Sequence, residues 1–174
     1  EPFLLINTNE NMLAFANGQP IPHIINNIFV PTFGMVGGTG STISLLLAIF
    51  IFSRQKSAKQ VARLSLAPGL FNINEPVIFG LPIVFNLPLM IPFVLLPAIG
   101  IYFAWLCTTL GLMSRCVVMI PWTTPPILSA WLATAGDWRA VVVQLAIIIF
   151  GVFFYLPFLK IAERVALKNS GIEN

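Results

Sequence analysis

Charged side chains are scarce in this sequence. Asp, Glu, Lys and Arg together make up 9% of the residues, whereas hydrophobic residues make up 57%. An ordinary soluble domain carries about 25% charged residues, so this composition excludes that class and predicts an integral membrane chain. The net charge of +3 does not indicate nucleic-acid binding, because the basic residues cluster at the ends of apolar segments.

Cysteine and histidine are also rare. Cys107 and Cys116 are too few for a disulfide framework, and both lie in or beside apolar sequence, so we interpret them as buried free thiols. His23 is the single histidine, and no second His, Cys or neighbouring carboxylate in the sequence indicates a metal site. Two roles stay open for His23: a side chain that bridges loop backbone, or a polar group at the mouth of a pathway.

An initiator methionine and a signal sequence are missing as well. The chain starts at Glu1-Pro2, and no basic region precedes an apolar run, so no cleavable signal peptide is expected. We therefore expect the chain to begin within a longer protein, as a fragment or a processed piece.

Long apolar stretches dominate what is present. They predict membrane crossings at about residues 33–53, 87–113 and 140–159. The first has 21 residues without a charge, and at 1.5 Å per residue it spans about 30 Å, the thickness of the bilayer hydrocarbon. Residues 1–32 are interpreted as a loop or partial helix that leads in, and residues 160–174 as a cytoplasmic tail.

Glu75 is the one carboxylate deep inside apolar sequence, since the nearest charged residues are Arg63 and Arg115. A carboxylate at membrane depth costs about 2.5 kcal/mol or more, so it rarely occurs without a partner or a task. Prolines around it disfavour a long regular helix, and broken backbone at membrane depth must be buried in protein or line a cavity. Residues 64–86 are therefore predicted to form a re-entrant hairpin that holds a ligand site.

A second broken segment follows later in the chain. It contains the run Pro121-Trp122-Thr123-Thr124-Pro125-Pro126 and predicts another re-entrant hairpin at about residues 116–135. Trp122 has two possible roles: a residue of the aromatic belt at the membrane interface, or a flat platform for a ligand.

Two basic clusters predict the orientation. Lys and Arg are concentrated in residues 54–63 and 160–168, which the positive-inside rule assigns to the cytoplasm. Two crossings then separate the clusters, so each hairpin enters and leaves on the same side, as is typical of a substrate site near the bilayer midplane. Anionic lipid headgroups or a cytoplasmic partner also fit the first cluster.

These motifs together resemble the lactose/cellobiose/diacetylchitobiose family of enzyme IIC (EIIC), the membrane subunit of the bacterial phosphoenolpyruvate:sugar phosphotransferase system. The resemblance covers about residues 20–160 and rests on Pro22-His23-Ile24, residues 36–42, residues 53–57, residues 70–83 around Asn74-Glu75-Pro76, and residues 121–126. It implies an all-α integral membrane fold with polytopic helices and two re-entrant hairpins. This chain resembles the C-terminal, substrate-holding half, without the N-terminal half that forms most of the homodimer interface.

The resemblance also implies a site. In the family, an asparagine and a glutamate contact the sugar and a tryptophan lies against it, which here correspond to Asn74, Glu75 and Trp122. His23 and Thr39 are matched to the same cavity wall by motif position. Glu75 is also a candidate catalytic base toward a sugar hydroxyl.

The phosphate chemistry is expected to come from partners. In the family, a cysteine of a separate IIB protein, supplied by IIA, delivers the phosphoryl group, and neither cysteine here resembles it. The chain is thus expected to bind a disaccharide such as cellobiose or lactose in the bacterial plasma membrane, with a cytoplasmic C-terminus. It is not expected to be a stand-alone enzyme, and no metal or organic cofactor is implied.

Two other classes stay open. An ion-coupled secondary sugar transporter would also use an intramembrane Glu75. A structural subunit or a non-functional truncated fragment would fit the short length.

Overall fold

The computed structural model describes residues 2–81 and 83–169, and this part of the chain is helical, without strands. The all-α prediction is therefore confirmed. The helices are α1 (Pro2–Ala16), α2 (Phe29–Gly34), α3 (Thr42–Phe52), α4 (Lys56–Leu70), α5 (Glu75–Gly80), a 3₁₀ turn (Ile83–Phe85), α6 (Leu87–Thr109), α7 (Leu128–Ala133) and α8 (Trp138–Asn169).

Two of the described helices, α6 and α8, are long and apolar enough to cross a membrane, by length and composition. Pro88 is the second residue of α6 and has no backbone N–H. Since the N–H groups of the first helical turn have no partner within the helix, proline is well tolerated there. Both helices carry large apolar side chains that are mostly exposed, including Val94 and Tyr102 on α6 and Ile149 and Phe153 on α8. An extended apolar surface of this kind suits contact with lipid.

The core has two parts. One lies between α3, α6 and α8 and contains the fully or almost fully buried side chains of Leu46, Ile49, Leu96, Tyr155 and Leu159. The other lies where α2 and α7 pack against α6 and α8, and it includes Phe29, Phe33, Ala104, Ala130 and Ala140. The helices α6 and α8 therefore form the scaffold against which the shorter elements are placed.

The stretch 33–53 is divided rather than continuous. Helix α2 ends at Gly34, residues 35–41 form a turn, and α3 begins at Thr42. Ser41 and three glycines of this turn have positive φ angles, a conformation that cannot continue a right-handed helix. The membrane crossing assigned to these residues stays a prediction.

The ends of the chain are more helical than the sequence indicated. Residues 1–32, expected to be a loop or partial helix, contain the whole of α1 and the start of α2. Helix α8 continues through Asn169, so residues 160–169 of the predicted tail are helical. Residue 1 and residues 170–174 lie outside the described residues.

Both predicted hairpins contain interrupted backbone. Residues 64–86 hold the end of α4, a turn at 71–74, the short α5 and the 3₁₀ turn, with residue 82 outside the described part. In residues 116–135 irregular backbone leads into α7, which has six residues. Re-entry into a membrane stays a prediction for both.

Candidate functional site

Asn72 connects three separate parts of the chain. Its Oδ1 accepts the Gly37 backbone N–H at 2.9 Å, and its Nδ2 donates to the backbone carbonyls of Trp122 at 2.5 Å and Thr124 at 3.2 Å. Its φ of 62° is in the left-handed region, which Asn adopts more readily than most residues. One half-buried amide therefore joins the glycine turn (residues 35–41), the turn at 71–74 and the second proline-rich segment (residues 121–126).

Asn74 fixes the next part of the same region. Its Nδ2 donates to the Thr39 carbonyl at 2.7 Å, and the side chain is largely buried. The backbone carbonyl of Asn74 accepts the N–H groups of Val77 and Ile78, both at 3.0 Å, which starts α5. The predicted binding residue Asn74 thus also has a structural task, because it holds the glycine turn against α5.

Glu75 is the first residue of α5 and is exposed. Within residues 2–81 and 83–169, no hydrogen bond or ion pair engages its carboxylate. The side-chain amides of Asn72 and Asn74 form hydrogen bonds to backbone groups, whereas the Glu75 carboxylate can accept a hydrogen bond from a ligand.

Trp122 and Thr39 lie at the edges of this region. The Trp122 side chain is 66% exposed, although its carbonyl is bonded to Asn72. Thr39 is exposed, and its carbonyl is bonded to Asn74. The backbone bonds of Asn72 and Asn74 therefore bring Thr39, Asn74, Glu75 and Trp122 into one region, with three of these four side chains accessible.

His23 belongs to a different set of contacts. Its Nε2 lies 2.5 Å from Glu10 Oε2, and its backbone exchanges two hydrogen bonds with the Asn11 side chain. No carboxylate is near His23 in the sequence, but folding of the loop onto α1 brings Glu10 to it. In the described part of the chain, none of these contacts reaches Asn74 or Glu75, and no group of three metal-ligating side chains occurs.

A cavity of about 490 Å³ lies between α2 and the second proline-rich segment. Its wall is mostly apolar, with polar groups from Asn27, Thr32, Asn72, Thr124 and Gln144, a composition typical of small-molecule sites. Trp122 also lines it. The other predicted residues, His23, Thr39, Asn74 and Glu75, are not among the residues that form its wall.

Gln144 is a polar residue of the cavity wall that the sequence-based site did not include. It is 1% exposed on α8, donates to the Thr32 carbonyl at 2.7 Å and to Ser129 Oγ at 3.0 Å, and accepts the Ile127 N–H at 2.5 Å. Ile127 has a φ of 74°, a rare conformation for a β-branched residue. The signal was a single amide within an otherwise apolar stretch, where a polar group needs a partner.

Tyr155 gave no comparable signal, because a tyrosine in an apolar run resembles a core residue. Its side chain is fully buried, and its hydroxyl donates to the Gly40 carbonyl at 2.7 Å. This bond satisfies a carbonyl that the broken glycine turn leaves without a helical partner.

Comparisons with known proteins give consistent matches. The family described as "Phosphotransferase system, EIIC" matches residues 1–97. The chain is 43% identical over 151 residues to the PTS system cellobiose-specific EIIC component of Lactococcus lactis subsp. lactis, covering 82% of this chain and 31% of that protein. It is 32% identical over 166 residues to the PTS system lactose-specific EIICB component of Staphylococcus aureus, covering 94% and 29% respectively.

One solved structure also matches. It is the transporter ChbC, the IIC component from the N,N'-diacetylchitobiose-specific phosphotransferase system, with a TM-score of 0.90 and 36% identity over 98% of this chain and 40% of that chain. The chain spans about a third of the length of the curated relatives named above.

Proposed function

Because the chain belongs to the phosphotransferase system EIIC family, we propose that it is the substrate-holding part of a sugar-translocating EIIC subunit. It binds a disaccharide such as cellobiose or lactose, which a IIB partner then phosphorylates with phosphate supplied through IIA. The resemblance noted in the sequence is confirmed by the family and structural matches. The sugar classes are those in the relatives' names.

The observation that carries this proposal is the state of Glu75. Its carboxylate is exposed at the start of α5, without a partner among the described residues, beside a turn whose two asparagines are fixed. A carboxylate accepts charge-assisted hydrogen bonds from sugar hydroxyls, and such bonds are stronger than neutral ones. The cost of keeping Glu75 charged in apolar surroundings is then offset when the sugar binds.

The other site residues take supporting roles. Trp122 presents an exposed ring on which a sugar face can lie. Asn74 holds the Thr39 turn and offers its remaining polar atoms to the sugar. Thr39 and His23 are proposed as outer contacts to the sugar, His23 from its separate position beside Glu10. Glu75 also acts as the base toward the hydroxyl that receives the phosphoryl group.

EIIC proteins are membrane proteins, and the proposal includes a topology. Residues 33–53, 87–113 and 140–159 cross the bacterial plasma membrane, residues 64–86 and 116–135 re-enter it, and the C-terminus is cytoplasmic. A homodimer forms through an N-terminal half that this sequence does not include. The two long apolar helices and the basic clusters at residues 54–63 and 160–168 support this arrangement.

Binding of labelled cellobiose and lactose to the detergent-solubilised chain tests the site, with and without a co-expressed N-terminal half. Glu75→Ala should abolish binding. Trp122→Ala should weaken it about tenfold or more, in the range of a ligand–aromatic stacking contact. Trp138→Ala is the matched control, because Trp138 is equally exposed, at 68%, but lies at the start of α8. Equal binding by wild type and Glu75→Ala would overturn the site.

The base role needs a separate measurement. Glu75→Gln keeps the shape of the side chain and should retain partial sugar binding while losing phosphorylation by IIB. Full phosphorylation at normal sugar binding would show that Glu75 is not the base. Ion-dependent uptake of unmodified sugar would instead identify an ion-coupled carrier, and an absence of binding in every combination would identify an inert fragment.

A further inference from the structure

A second cleft lies where α3 ends beside the last turns of α8. Its volume is about 670 Å³, and its wall includes Ile51, Ser53, Arg54, Lys160, Glu163 and Arg164. Arg54 of the first basic cluster is more than 100 residues from Lys160 and Arg164 of the second, yet folding brings these three residues to one site.

Glu163 is the acidic residue of this cleft, and it is already engaged. Ser53 Oγ donates to its carboxylate, and Gln55 Nε2 contacts its backbone carbonyl at 3.5 Å. The Gln55 N–H in turn donates to Ser53 Oγ at 3.2 Å. These contacts fasten the residues that follow α3 to α8 at the cleft.

Positive charge exceeds negative charge in the cleft. Arg54, Lys160 and Arg164 contribute three cations against the single carboxylate of Glu163. Within the described residues, no ion pair involves any of these three cations. Two guanidinium groups and one ammonium group, all exposed, form a set that phosphate oxygens fit well.

The position of the cleft along α8 decides which phosphate it fits. The charge-free residues 140–159 span about 30 Å at 1.5 Å per residue, which is the thickness of the bilayer hydrocarbon. Lys160, the next residue, therefore lies at the level of the lipid headgroups, and Arg164 lies one turn beyond. Ile51, 63% exposed on the rim, adds an apolar surface on the membrane side.

We propose that this cleft binds the phosphate group of an anionic phospholipid, with Arg54, Lys160 and Arg164 on the headgroup and an acyl chain along Ile51. A soluble phosphate would use the cations but not the apolar rim. The bound lipid would fasten α3 to α8, next to the helices that carry the site region. The inference rests on membrane insertion of the chain and not on the sugar site.

Native mass spectrometry of the full chain with phosphatidylglycerol and phosphatidylcholine tests this proposal. The triple variant Arg54→Gln, Lys160→Gln, Arg164→Gln should bind phosphatidylglycerol about tenfold or more weakly, since it loses the charge-assisted hydrogen bonds to the phosphate. The matched control is Lys56→Gln, Lys59→Gln, Arg63→Gln. It removes the same charge from α4 outside the cleft and should stay within about twofold of wild type.

Glu163→Gln provides a test that misfolding cannot imitate. It removes the one negative charge but keeps an oxygen for Ser53, so phosphatidylglycerol should bind more tightly while phosphatidylcholine does not change. Equal losses in both triple variants would show only general surface attraction and would overturn the site.

Two further outcomes would also overturn the lipid assignment. Displacement of phosphatidylglycerol by millimolar inorganic phosphate, with equal thermal stabilisation by both, would identify a soluble phosphate site. Unchanged lipid binding in the cleft variant, with loss of phosphorylation by IIB, would identify a docking surface for that protein.

Discussion

The long helices and the broken turns of this protein find hydrogen-bond partners for their backbone groups in different ways. In α6 and α8 most backbone bonds are internal to the helix, and even the buried Thr108 hydroxyl donates to the carbonyl of Ala104 in its own helix. The turns at 35–41 and 121–127 instead depend on side chains from remote elements. Asn72, Asn74 and Tyr155 bond to the first turn, and Asn72 and Gln144 bond to the second.

The difference shows how polar residues are divided in an apolar chain. Water does not reach the hydrocarbon, so broken backbone requires protein partners, and most buried amides here serve that purpose. Glu75 is different, because no described residue occupies its carboxylate. A polar residue in an apolar sequence is therefore a candidate for a binding site only if its side chain is not required to hydrogen-bond broken backbone nearby.

The largest expected effect comes from adding a side chain at Gly38, where the turns at 35–41 and 71–74 lie close together. A Cβ at Gly38, which has a φ of 97°, would lie 2.7 Å from Asn74 Cγ and 2.8 Å from the Asn72 carbonyl oxygen. Gly38→Ala should destabilise the chain by about 2–5 kcal/mol, from left-handed backbone strain plus overpacking. Chemical unfolding of the detergent-solubilised chain would measure it.

Gly111→Ala is the control for that variant. Gly111 also has a positive φ, 73°, but nothing lies within 4 Å of its added Cβ. It should cost only the strain, about 1–2 kcal/mol. Equal losses at the two positions would show that close approach of the turns does not matter.

Removal of the Asn72 amide should have the next largest effect. Asn72→Gly tolerates the positive φ but leaves the Gly37 N–H and the carbonyls of Trp122 and Thr124 without this partner. We expect a loss of about 2–4 kcal/mol together with weaker sugar binding, because the Trp122 segment is released. Unfolding and binding would be measured on the same preparation.

Thr108→Val tests the same comparison in a long helix. It removes a buried hydroxyl whose acceptor carbonyl belongs to the same helix. The change should be less than about 1 kcal/mol, because no buried group loses its main partner. A loss as large as that of Asn72→Gly would remove the distinction between helices and turns.

Tyr155→Phe tests the contact between α8 and the glycine turn, with an expected effect smaller than that of Asn72→Gly. The variant keeps the buried ring but removes the donor to the Gly40 carbonyl. A destabilisation of about 1–2 kcal/mol is expected from one unsatisfied buried acceptor. An unchanged unfolding free energy would mean that water or another group replaces the hydroxyl.

Another small effect concerns the start of α8, where a long helix does depend on a side chain. Asp137 Oδ1 accepts the Arg139 N–H at 2.9 Å, and Oδ2 accepts the Ser114 N–H at 2.7 Å. Burial alone would raise the pKa of Asp137, but hydrogen bonds from the Arg139 side chain and from the Ser114 and Arg139 backbone outweigh it and lower the pKa to about 2. Asp137→Ala should cost about 1 kcal/mol, as for other helix caps.

The pH dependence of that cost has a fixed sign. The pKa of Asp137 is lower in the folded chain than its ordinary value of 3.8, so its stabilisation is complete above about pH 4 and disappears as the pH falls toward 2. Melting temperatures of wild type and Asp137→Ala should therefore converge over this interval. A constant difference would show that the charge of Asp137 does not contribute.

Much of the helical scaffold follows directly from the sequence. Hydropathy over residues 87–113 and 140–159 predicts α6 and most of α8, because an apolar segment of that length satisfies its backbone only as a helix. The family resemblance around Asn74-Glu75-Pro76 is equally local, and it is confirmed. The roles of the individual site residues stay predictions.

Tertiary structure alone decided which polar groups meet. Asn72 and Gly37 are 35 residues apart, Tyr155 and Gly40 are 115 apart, and Ser53 and Glu163 are 110 apart. Hydropathy and motif spacing report on neighbours in the sequence, whereas a hydrogen bond depends on distance and direction in space. The sequence therefore determined that the chain is helical, apolar and interrupted at two motifs, and packing determined that Asn72 is a structural link, that His23 pairs with Glu10, and that Glu75 has no described partner.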